Sequence, residues 1–358
     1  MGNMMREYIN EQPDILKKIM ESSEEGIKLF LDKFRDFSIE RIYLFGSGSS
    51  YNAACMAKPF MEHVLKVEVT PMTPTQIYNI DWIKKNRSIR IALSQSGRST
   101  NTFSLVQMLE KDNYGVVSLT ANPQSEIARL SSLHIEISCG EEKAGPKTKG
   151  VTSTVLMLYL LTINLAYTKK LINIDEYNSY LDLFKRTIYN LPDNINRSIC
   201  WYKANKIELS RAKCIFIIAK DLYSSAALEG ALKLDETIYK PVFAYEFEEF
   251  IHGINCLLGS DNNIIFLISG EDNNERIYKL CDFSEKLGDK VYIISTEEQS
   301  IVSSNRLQLM SVHNKYMEPF EFVIPMQVLS SYLSEYLGND IDKPKFKNFS
   351  AIMESKIQ

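Results

Sequence analysis

The stretch IYLFGSGSSYNAA, residues 42–54, places an apolar run, a Ser/Gly turn and the start of a helix in direct succession. A buried strand that ends in a glycine turn and leads into a helix is the repeating unit of parallel α/β sheets. The same order recurs at IRIALS (89–94), VVSLT (116–120) and HIEIS (134–138), each followed by a polar turn. We therefore predict an α/β fold with doubly wound parallel sheets, in the flavodoxin-like or Rossmann-like three-layer arrangement.

The second half of the chain repeats this pattern. Its apolar runs are CIFIIA (214–219), VFAYEF (242–247), IIFLIS (264–269), VYIIS (291–295) and LQLMSV (307–312). The turns that begin at Gly46 and Ser94 have counterparts that begin at Lys220 and Ser269, offset by 174 and 175 residues. A nearly constant offset indicates an internal duplication, so we predict two similar domains.

The length agrees with two domains, because single cores stop growing near roughly 250–300 residues and the chain has 358. The segment between the halves has a helical pattern that we expect to break at LPDN, residues 191–194. We place the domain boundary at that break. The first domain is then 1–193, with an N-terminal helix and the Ser-rich turns, and the second is 194–358, with the C-terminal tail.

Composition and charge exclude several classes of protein. The 41 Lys and Arg residues nearly balance the 45 Asp and Glu residues, and the net charge is −4. Without a basic block, we expect no nucleic acid and no anionic membrane as a partner. The 6 cysteines form no CxxC pair and no Cys/His cluster, which predicts no metal site, no disulfide framework and no cofactor held by them. We expect buried thiols in a cytoplasmic protein.

One segment has the length of a membrane span. GVTSTVLMLYLLTINLAYT, residues 150–168, carries no charge over 19 residues. It also contains Thr152, Thr162 and Asn164, and it lies between segments with α/β periodicity. We predict a buried core helix, with a membrane helix as the alternative. The charged N-terminus lacks the apolar stretch of a signal peptide.

The Ser/Gly turns are the candidates for a binding site. Hydroxyls at a helix N-terminus, beside glycines that expose backbone N–H groups, form a cradle for phosphate. The candidate residues are Ser47, Ser49 and Ser50 in the first turn, Ser94, Gln95, Ser96 and Ser99 in the second, and Val151 and Ser153 at the start of the long apolar helix. No Gly-Lys-Ser/Thr sequence follows and a third glycine is missing, so nucleotide binding is disfavoured. An ordinary helix cap is the alternative for any one turn.

Candidate catalytic residues come from the second half. Glu229, Lys233 and Glu236 follow an i, i+4, i+7 spacing, so they share one face of a helix that is mostly apolar elsewhere. A carboxylate can remove a carbon-bound proton, and a neighbouring cation can orient it or stabilise the charge that develops. The alternative is a set of stabilising pairs on a solvated helix face.

Among four histidines, His252 is the functional candidate. It follows Glu246, Glu248 and Glu249, which are acids able to tune the pKa of its ring. We expect the other three histidines to be structural. No HxxxH or HxH spacing occurs, so metal catalysis is not indicated.

These motifs together resemble a known family. The matching segments are GSGSSY (46–51), SQSG (94–97), LEGALKLDE (228–236), HG (252–253) and the IPMQVLSSYL…DIDKP tail (324–344). They resemble the double sugar isomerase (SIS) proteins over essentially the whole chain. The chain is similar to the isomerase half of glutamine:fructose-6-phosphate amidotransferases, with the expectation that no glutaminase domain precedes it. PKTKGVTST (146–154) and YEFEEFIHG (245–253) are also similar to the fructosamine-6-phosphate deglycases.

The resemblance implies a role for each matching residue. Ser49, Ser50 and the four candidates of the second turn would hold a sugar phosphate, and residues 151–153 would line the sugar. Glu236 would be the general base that moves a proton between sugar carbons. His252 would act on the ring oxygen or the leaving group. In the family the histidine loop reaches the neighbouring subunit's site, which implies a homodimer.

Two departures from the family pattern bear on function. Phe349 falls where the amidotransferases carry the lysine that forms a Schiff base with the open sugar. Arg98 falls where they usually carry an acid; with Lys147 and Lys149 it adds positive charge that could contact the phosphate or an acidic amine.

A missing tail lysine fits a substrate whose own nitrogen supplies the imine. The favoured function is therefore a deglycase that cleaves a 6-phosphorylated amine–sugar conjugate to hexose 6-phosphate and free amine. A phosphosugar isomerase or an amino-sugar phosphate deaminase that uses the same Glu236 is the first alternative. A non-catalytic sugar-phosphate sensor is the second.

Overall fold

The computed structural model describes residues 3–76, 87–259, 261–298 and 303–357. Its strands are β1 (Arg41–Phe45), β2 (Glu68–Met72), β3 (Ser88–Leu93), β4 (Val117–Thr120), β5 (Leu133–Glu136), β6 (Ile215–Ala219), β7 (Val242–Glu246), β8 (Asn263–Ile268), β9 (Lys290–Ser295) and β10 (Arg306–Gln308). Its α-helices are α1 (Met4–Ser22), α2 (Glu24–Phe34), α3 (Ser49–Leu65), α4 (Thr100–Lys111), α5 (Glu126–Leu130), α6 (Lys149–Thr168), α7 (Ile174–Arg211), α8 (Ser224–Ile238), α9 (Phe247–Ile251), α10 (Glu275–Lys286), α11 (Glu318–Tyr336) and α12 (Phe349–Ile352).

The strands form two parallel sheets of five. The first has the order β2-β1-β3-β4-β5 and the second the order β10-β9-β8-β6-β7. In each sheet the first strand along the chain lies between the next two, so the strand order reverses beside it. This topology confirms the prediction of a doubly wound parallel α/β fold.

One strand was absent from the sequence prediction. β2 has the sequence EVTPM, and its Pro71 opposes Leu44 of β1. A proline cannot donate to a ladder and is tolerated on an edge strand, where β2 lies. The charged Glu68 and the proline hide this strand from a search for apolar runs. β10 is shorter than the predicted LQLMSV run.

The chain forms two compact units, each with one sheet. The first-sheet unit contains Asp14–Glu142, Lys149–Lys185 and Pro344–Gln358, and the second-sheet unit contains Met1–Pro13, Lys143–Thr148 and Arg186–Lys343. The helix break expected at residues 191–194 does not occur, because α7 continues through Pro192. Leu191 and Ile195 beside it are buried, and their packing offsets the hydrogen bond that proline removes. The boundary at residue 194 stays a prediction.

The long apolar helix α6 is a core element of the first-sheet unit. By length and composition it is the one helix among the described residues that could cross a membrane, but 89% of its apolar window is buried within the structure. The ring of Tyr159 lies 4.2 Å from that of Phe60 on α3 and 5.6 Å from that of Phe184. These neighbours are those of a buried core helix, as predicted.

The second-sheet unit has its own core. Phe216, Phe250 and Phe266 pack in one buried cluster between the sheet and its helices. Tyr223 and Phe322 meet edge to face, with ring centroids 5.6 Å apart, which joins the start of α8 to α11. Aromatic pairs of this geometry add about 0.5–1.5 kcal/mol beyond the area that they bury.

The cysteines are less buried than predicted. Cys139 and Cys281 are buried, but Cys200 and Cys256 are exposed, and all six are free thiols. The expectation of uniform burial is therefore wrong for the exposed pair. Cys200 lies on the solvent-facing side of α7. The residue type alone does not predict which face of a helix a cysteine occupies.

Candidate active site

The two Ser/Gly turns lie together at the carboxyl edge of the first sheet. One follows β1 and the other follows β3, and these strands are neighbours at the point where the strand order reverses. Ligands of open α/β sheets bind in the crevice at such a point. Asn101 Nδ2 donates to Ser47 Oγ at 2.8 Å and joins the two turns directly. The structure thus brings the predicted serines of both turns to one edge.

The first turn ends at a helix N-terminus. Gly48 is the N-cap of α3, and Ser49 and Ser50 are its first residues. The backbone N–H groups of a first helical turn have no intrahelical partner, and the helix dipole places about half a positive charge there. α3 is 17 residues long, so the dipole is well developed. This end of α3 suits a phosphate group.

The second turn depends on a glycine in the left-handed region. Gly97 has φ of +65°, and a Cβ at this position would overlap Ser125 Oγ. Its N–H donates to Ser94 O at 2.8 Å and closes the turn. Ser94 is buried, whereas Gln95, Ser96 and Ser99 are partly exposed. The predicted hydroxyl cluster therefore has three members that a ligand in the crevice can reach.

Helix α6 begins beside this turn. Gly150 N donates to Glu142 Oε2 at 3.1 Å, and a Cβ on Gly150 would lie 2.7 Å from Gln95 Cγ. Only glycine allows this approach of the helix to the turn. Lys149 is also buried here, and it lies close enough to Cys139 to lower the pKa of that thiol. The net effect on Cys139 is the opposite: its burial raises the pKa to about 12, so this thiol is neutral near pH 7.

The two predicted residues on α6 are buried. Val151 is 3% exposed and Ser153 is 0% exposed. Ser153 Oγ has no hydrogen-bond partner among the residues described. Their predicted role of lining the sugar stays a prediction.

The predicted acid–base residues meet on α8 of the second-sheet unit. Lys233 Nζ lies 2.5 Å from Glu236 Oε2 and 3.6 Å from Glu229 Oε1. The side chains of Lys233 and Glu229 are 1% and 0% exposed, whereas that of Glu236 is 37% exposed. The alternative of a solvated helix face is therefore wrong for Lys233 and Glu229. The buried ammonium group of Lys233 thus lies between two carboxylates. Only the carboxylate of Glu236 is accessible to solvent, and it has this cation beside it.

Glu236 is remote from the carboxyl edge of its own sheet. That edge meets the start of α8 at Ser224, and Glu236 is near the other end of the helix. At 1.5 Å per residue the separation along the helix axis is about 18 Å. Glu236 is therefore not a group of the second sheet's own crevice.

His252 lies at the C-cap of the short helix α9 and is exposed. The acids that precede it have other partners. Glu246 caps α9, with its Oε2 accepting from Glu248 N at 2.6 Å and Glu249 N at 3.2 Å. Glu248 forms an ion pair with Arg276. Both carboxylates therefore have partners other than His252, and a role of these acids at His252 stays a prediction.

Among the residues described at the carboxyl edge of the second sheet, no Ser/Gly cradle occurs. Lys220 Nζ donates to Asn273 O at 2.9 Å and joins the turns that follow β6 and β8. Thr296 Oγ1 donates to Glu318 Oε1 at 2.7 Å, and Ser269 and Tyr223 also hydrogen-bond to Glu318. Glu318 is buried, and this burial raises its pKa.

A second carboxyl group lies in the same region. Glu321 is 0% exposed, and its Oε1 accepts from Val312 N at 3.1 Å. Its burial raises the pKa to about 8. Each of Glu318 and Glu321 has a buried Oε2 without a partner among the residues described.

Sequence reasoning missed three contributors to the first-sheet edge: Asn101, Glu142 and Gly150. Asn101 could have been suspected, because an amide two residues after Ser99 falls in the first turn of the next helix. Glu142 and Gly150 meet only after the chain folds, and no spacing rule predicts that contact. Within the described residues no cluster of three or more metal-binding side chains occurs.

Comparisons with known proteins agree with this architecture. The family model of the SIS domain matches residues 37–164 and 208–332. The isomerizing glutamine–fructose-6-phosphate aminotransferase of Haemophilus influenzae is 23% identical over 96% of the chain, and the chain spans 58% of that protein's length. A candidate phosphosugar isomerase from Clostridium difficile 630 is similar in structure, with a TM-score of 0.91, 28% identity and 99% of each chain covered. The C-terminal domain of the Francisella tularensis glucosamine-fructose-6-phosphate aminotransferase shares the fold, with a TM-score of 0.84 and 22% identity over 96% of this chain and 99% of that one.

Proposed function

The chain belongs to the SIS domain family, and from that premise we propose that it is a phosphosugar-processing enzyme of the deglycase type. Its substrate is a 6-phosphorylated conjugate of an amine and a sugar, and its products are hexose 6-phosphate and free amine. The likeness to a candidate phosphosugar isomerase supports the general class. The proposed assembly is a homodimer in the cytoplasm.

The observation that carries the proposal is the pair of turns at the first sheet's edge. Hydrogen bonds to a charged group contribute about 1.5–3 kcal/mol each. Hydroxyls of Ser49, Ser50, Ser96 and Ser99, with the N-terminus of α3, supply enough such donors for micromolar binding of a phosphate. The negative net charge of the chain does not prevent phosphate binding, because hydroxyl groups and a helix N-terminus attract the phosphate at short range.

The proposed chemistry is a proton transfer followed by hydrolysis. Glu236 removes a proton from C1 of the conjugate, the electron pair forms the C1–C2 double bond of an enaminol, and O2 takes up a proton from solvent. A proton returns to C2 while the nitrogen loses one, which gives an imine between the nitrogen and C1. Water adds to C1, the C–N bond breaks, and amine and aldose 6-phosphate leave. His252 is the proposed proton carrier for the ring oxygen or the leaving amine.

Lys233 supports this role of Glu236. Its ammonium group lies 2.5 Å from the carboxylate and is nearly inaccessible to water, so it holds the carboxylate in one orientation. No lysine is needed to form the imine, because the substrate nitrogen already provides it. Phe349, which replaces a Schiff-base lysine in the family pattern, therefore does not block the reaction.

The test is a substrate panel with wild-type protein: fructosamine 6-phosphates, glucosamine 6-phosphate, and fructose 6-phosphate with and without ammonia. We expect hexose 6-phosphate and free amine from the fructosamine 6-phosphates, detected by NMR. Isomerised sugar alone, or ammonia released from glucosamine 6-phosphate, would assign an isomerase or a deaminase instead. Tight binding without turnover of any compound would assign a sensor.

Replacing the proposed base gives the sharpest single check. We expect Glu236→Gln to lower kcat by about 10²–10⁴-fold, while calorimetric binding of fructose 6-phosphate stays within about twofold. Glu285→Gln, at an exposed position of α10, is the matched control and should retain activity. If binding and turnover vanish together in Glu236→Gln, the residue is structural and the mechanism is wrong.

A further inference from the structure

Asn101 connects the second Ser/Gly turn to the first through its side chain. It lies in the first turn of α4, two residues after Ser99, and its Nδ2 donates to Ser47 Oγ at 2.8 Å. Phe103 N donates to Ser99 O at 2.9 Å, so the helix is already formed around Asn101. The amide therefore extends from a regular helix of 12 residues, which fixes its backbone better than a loop does.

The orientation of this amide follows from its other contacts. Asn101 Oδ1 accepts from Thr102 N at 2.8 Å and from Ser99 Oγ at 2.7 Å. A backbone N–H group can only donate, so the amide atom beside Thr102 N must be the oxygen. The nitrogen then faces Ser47. A flipped amide would lose the bond to Thr102 N and set two donors against each other.

The direction of this hydrogen bond decides what the Ser47 hydroxyl can do. A hydroxyl group has one proton and two acceptor lone pairs. Because Asn101 donates to Ser47 Oγ, it uses a lone pair and leaves the Ser47 proton for another acceptor. Hydrogen bonds in a chain polarise one another, so a hydroxyl that accepts is also a stronger donor. Ser47 is partly exposed and Gly48 beside it is exposed, so a ligand can approach this turn.

We propose that Asn101 is a positioning residue, which directs the hydroxyl proton of Ser47 to the phosphate group of the substrate and so makes the two turns one phosphate site. The proposal rests on the proposed function, since the ligand is taken to be a sugar phosphate. Ser99 shares Asn101 Oδ1 with Thr102 N, so Ser99 can transfer its own hydrogen bond to the phosphate while Thr102 N still holds the amide.

An acid at position 101 would have the opposite effect. A carboxylate has no proton to donate, so it would accept the Ser47 proton, and its charge would repel the phosphate. We expect calorimetric binding of fructose 6-phosphate to weaken about tenfold in Asn101→Ala and about hundredfold in Asn101→Asp. Asn122→Asp is the matched control, because it adds the same charge at an exposed turn after β4. Its affinity should stay within about twofold of wild type.

A double-mutant cycle separates positioning from a general loss of structure. Ser47→Ala should weaken binding about tenfold in the wild-type background but less than about twofold in the Asn101→Ala background, because the proton is then no longer directed at the phosphate. Effects that multiply would show that the two residues act independently and would overturn the proposal. Normal affinity of Asn101→Ala would overturn it as well. If the Asn101 variants do not fold, Ser47→Ala decides: a tenfold loss supports the proposal, and normal affinity overturns it.

These outcomes stand apart from the deglycase reaction, because binding of fructose 6-phosphate requires no cleavage. If the wild type cleaves no fructosamine 6-phosphate but Asn101 and Ser47 are coupled, the positioning role holds and the proposed reaction fails. If cleavage occurs without this coupling, the reaction holds and the positioning role fails. In a protein that cleaves, Asn101→Ala should raise KM about tenfold and change kcat less than about threefold, because the phosphate on C6 is remote from C1 and C2. A loss in kcat alone would overturn the role.

Discussion

The carboxyl edges of the two sheets share a topology and differ in charge. At the first edge the long core helix α6 begins with Lys149, and the turns present serines beside the N-terminus of α3. At the second edge the corresponding helix α11 begins with Glu318, whose carboxyl group accepts hydrogen bonds from Thr296 and Ser269.

In the second sheet, therefore, the protein's own carboxyl group takes the donors that a phosphate would need. A phosphate there would have to displace the carboxyl group of Glu318 and would find a second buried carboxyl group, that of Glu321, in the same region. Duplication of the fold has thus left one edge suited to a ligand and one edge satisfied internally. Experiments can test this difference between the two edges, and we expect the largest effect from a change in pH.

The second edge should become less stable as the pH rises. The folded-state pKa of Glu321 is about 8, above the ordinary value of 4.5, because the carboxyl group is buried. Below about pH 4.5 the group is neutral in both the folded and the unfolded chain, and the folded state has its full stability. As the pH rises from there through 8, the unfolded chain ionises first, and the folded state loses stability. We expect the unfolding free energy to fall by an amount on the order of 3–5 kcal/mol across this range, measured by urea denaturation.

Glu321→Gln is the variant that isolates this effect, because an amide cannot ionise. Its unfolding free energy should depend on pH much less than that of the wild type, whereas the exposed-site variant Glu285→Gln should follow the wild type. If the pH dependence of Glu321→Gln and wild type coincide, the carboxyl group of Glu321 does not control the stability of this edge.

The first edge should lose its ligand when its second turn is distorted. Gly97→Ala would place a side chain in the left-handed region and against Ser125 Oγ. We expect binding of fructose 6-phosphate to weaken at least about hundredfold, measured by calorimetry. Gly145→Ala is the control, because a Cβ there has no neighbour within 4 Å. Normal affinity in Gly97→Ala would exclude this turn from the phosphate site.

A matched pair of serine variants tests the two edges directly. Ser96 lies in the turn that follows β3, and Ser269 lies in the turn that follows β8. We expect Ser96→Ala to weaken fructose 6-phosphate binding about tenfold, and Ser269→Ala to leave binding unchanged while lowering the unfolding free energy by about 1–3 kcal/mol. Loss of binding in Ser269→Ala would mean that the second edge also contributes to the ligand site.

The smallest expected effect concerns the tail. Thr100 Oγ1 donates to Glu354 O at 2.6 Å, and Thr100→Val removes this hydrogen bond while it keeps the side-chain shape. We expect a loss of about 0.5–1.5 kcal/mol in local stability, seen as faster hydrogen exchange of residues 354–357. Thr168→Val, which removes an exposed hydrogen bond to Asn164 on α6, should leave that exchange unchanged.

The sequence predicts those features that depend on local pattern. The apolar runs after Arg41 and Ser88 predict β1 and β3, and the offset between Ser94 and Ser269 predicts the duplication, because neighbours in the chain decide both. β2 escapes this approach, since Pro71 and Glu68 are compatible only with an edge position that the finished sheet defines.

Partners that are distant in sequence cannot be predicted in this way. The helical spacing places Lys233 beside Glu236, but it does not tell which of the two is buried. The sequence suggests that Glu246 acts on His252, which follows six residues later. The structure shows instead that the side chain of Glu246 caps α9. The contact between Gly150 and Gln95 depends on two elements that meet through the sheet.

The bond between Thr100 and the tail joins residues 254 positions apart. A ribosome that adds about 5–20 residues per second makes the tail tens of seconds after the turn. During that interval the nascent first sheet has its serines, but the second Ser/Gly turn lacks its hydrogen bonds to the tail. This edge is therefore completed only after the tail has been made, 254 positions beyond the turn that carries its hydroxyl groups.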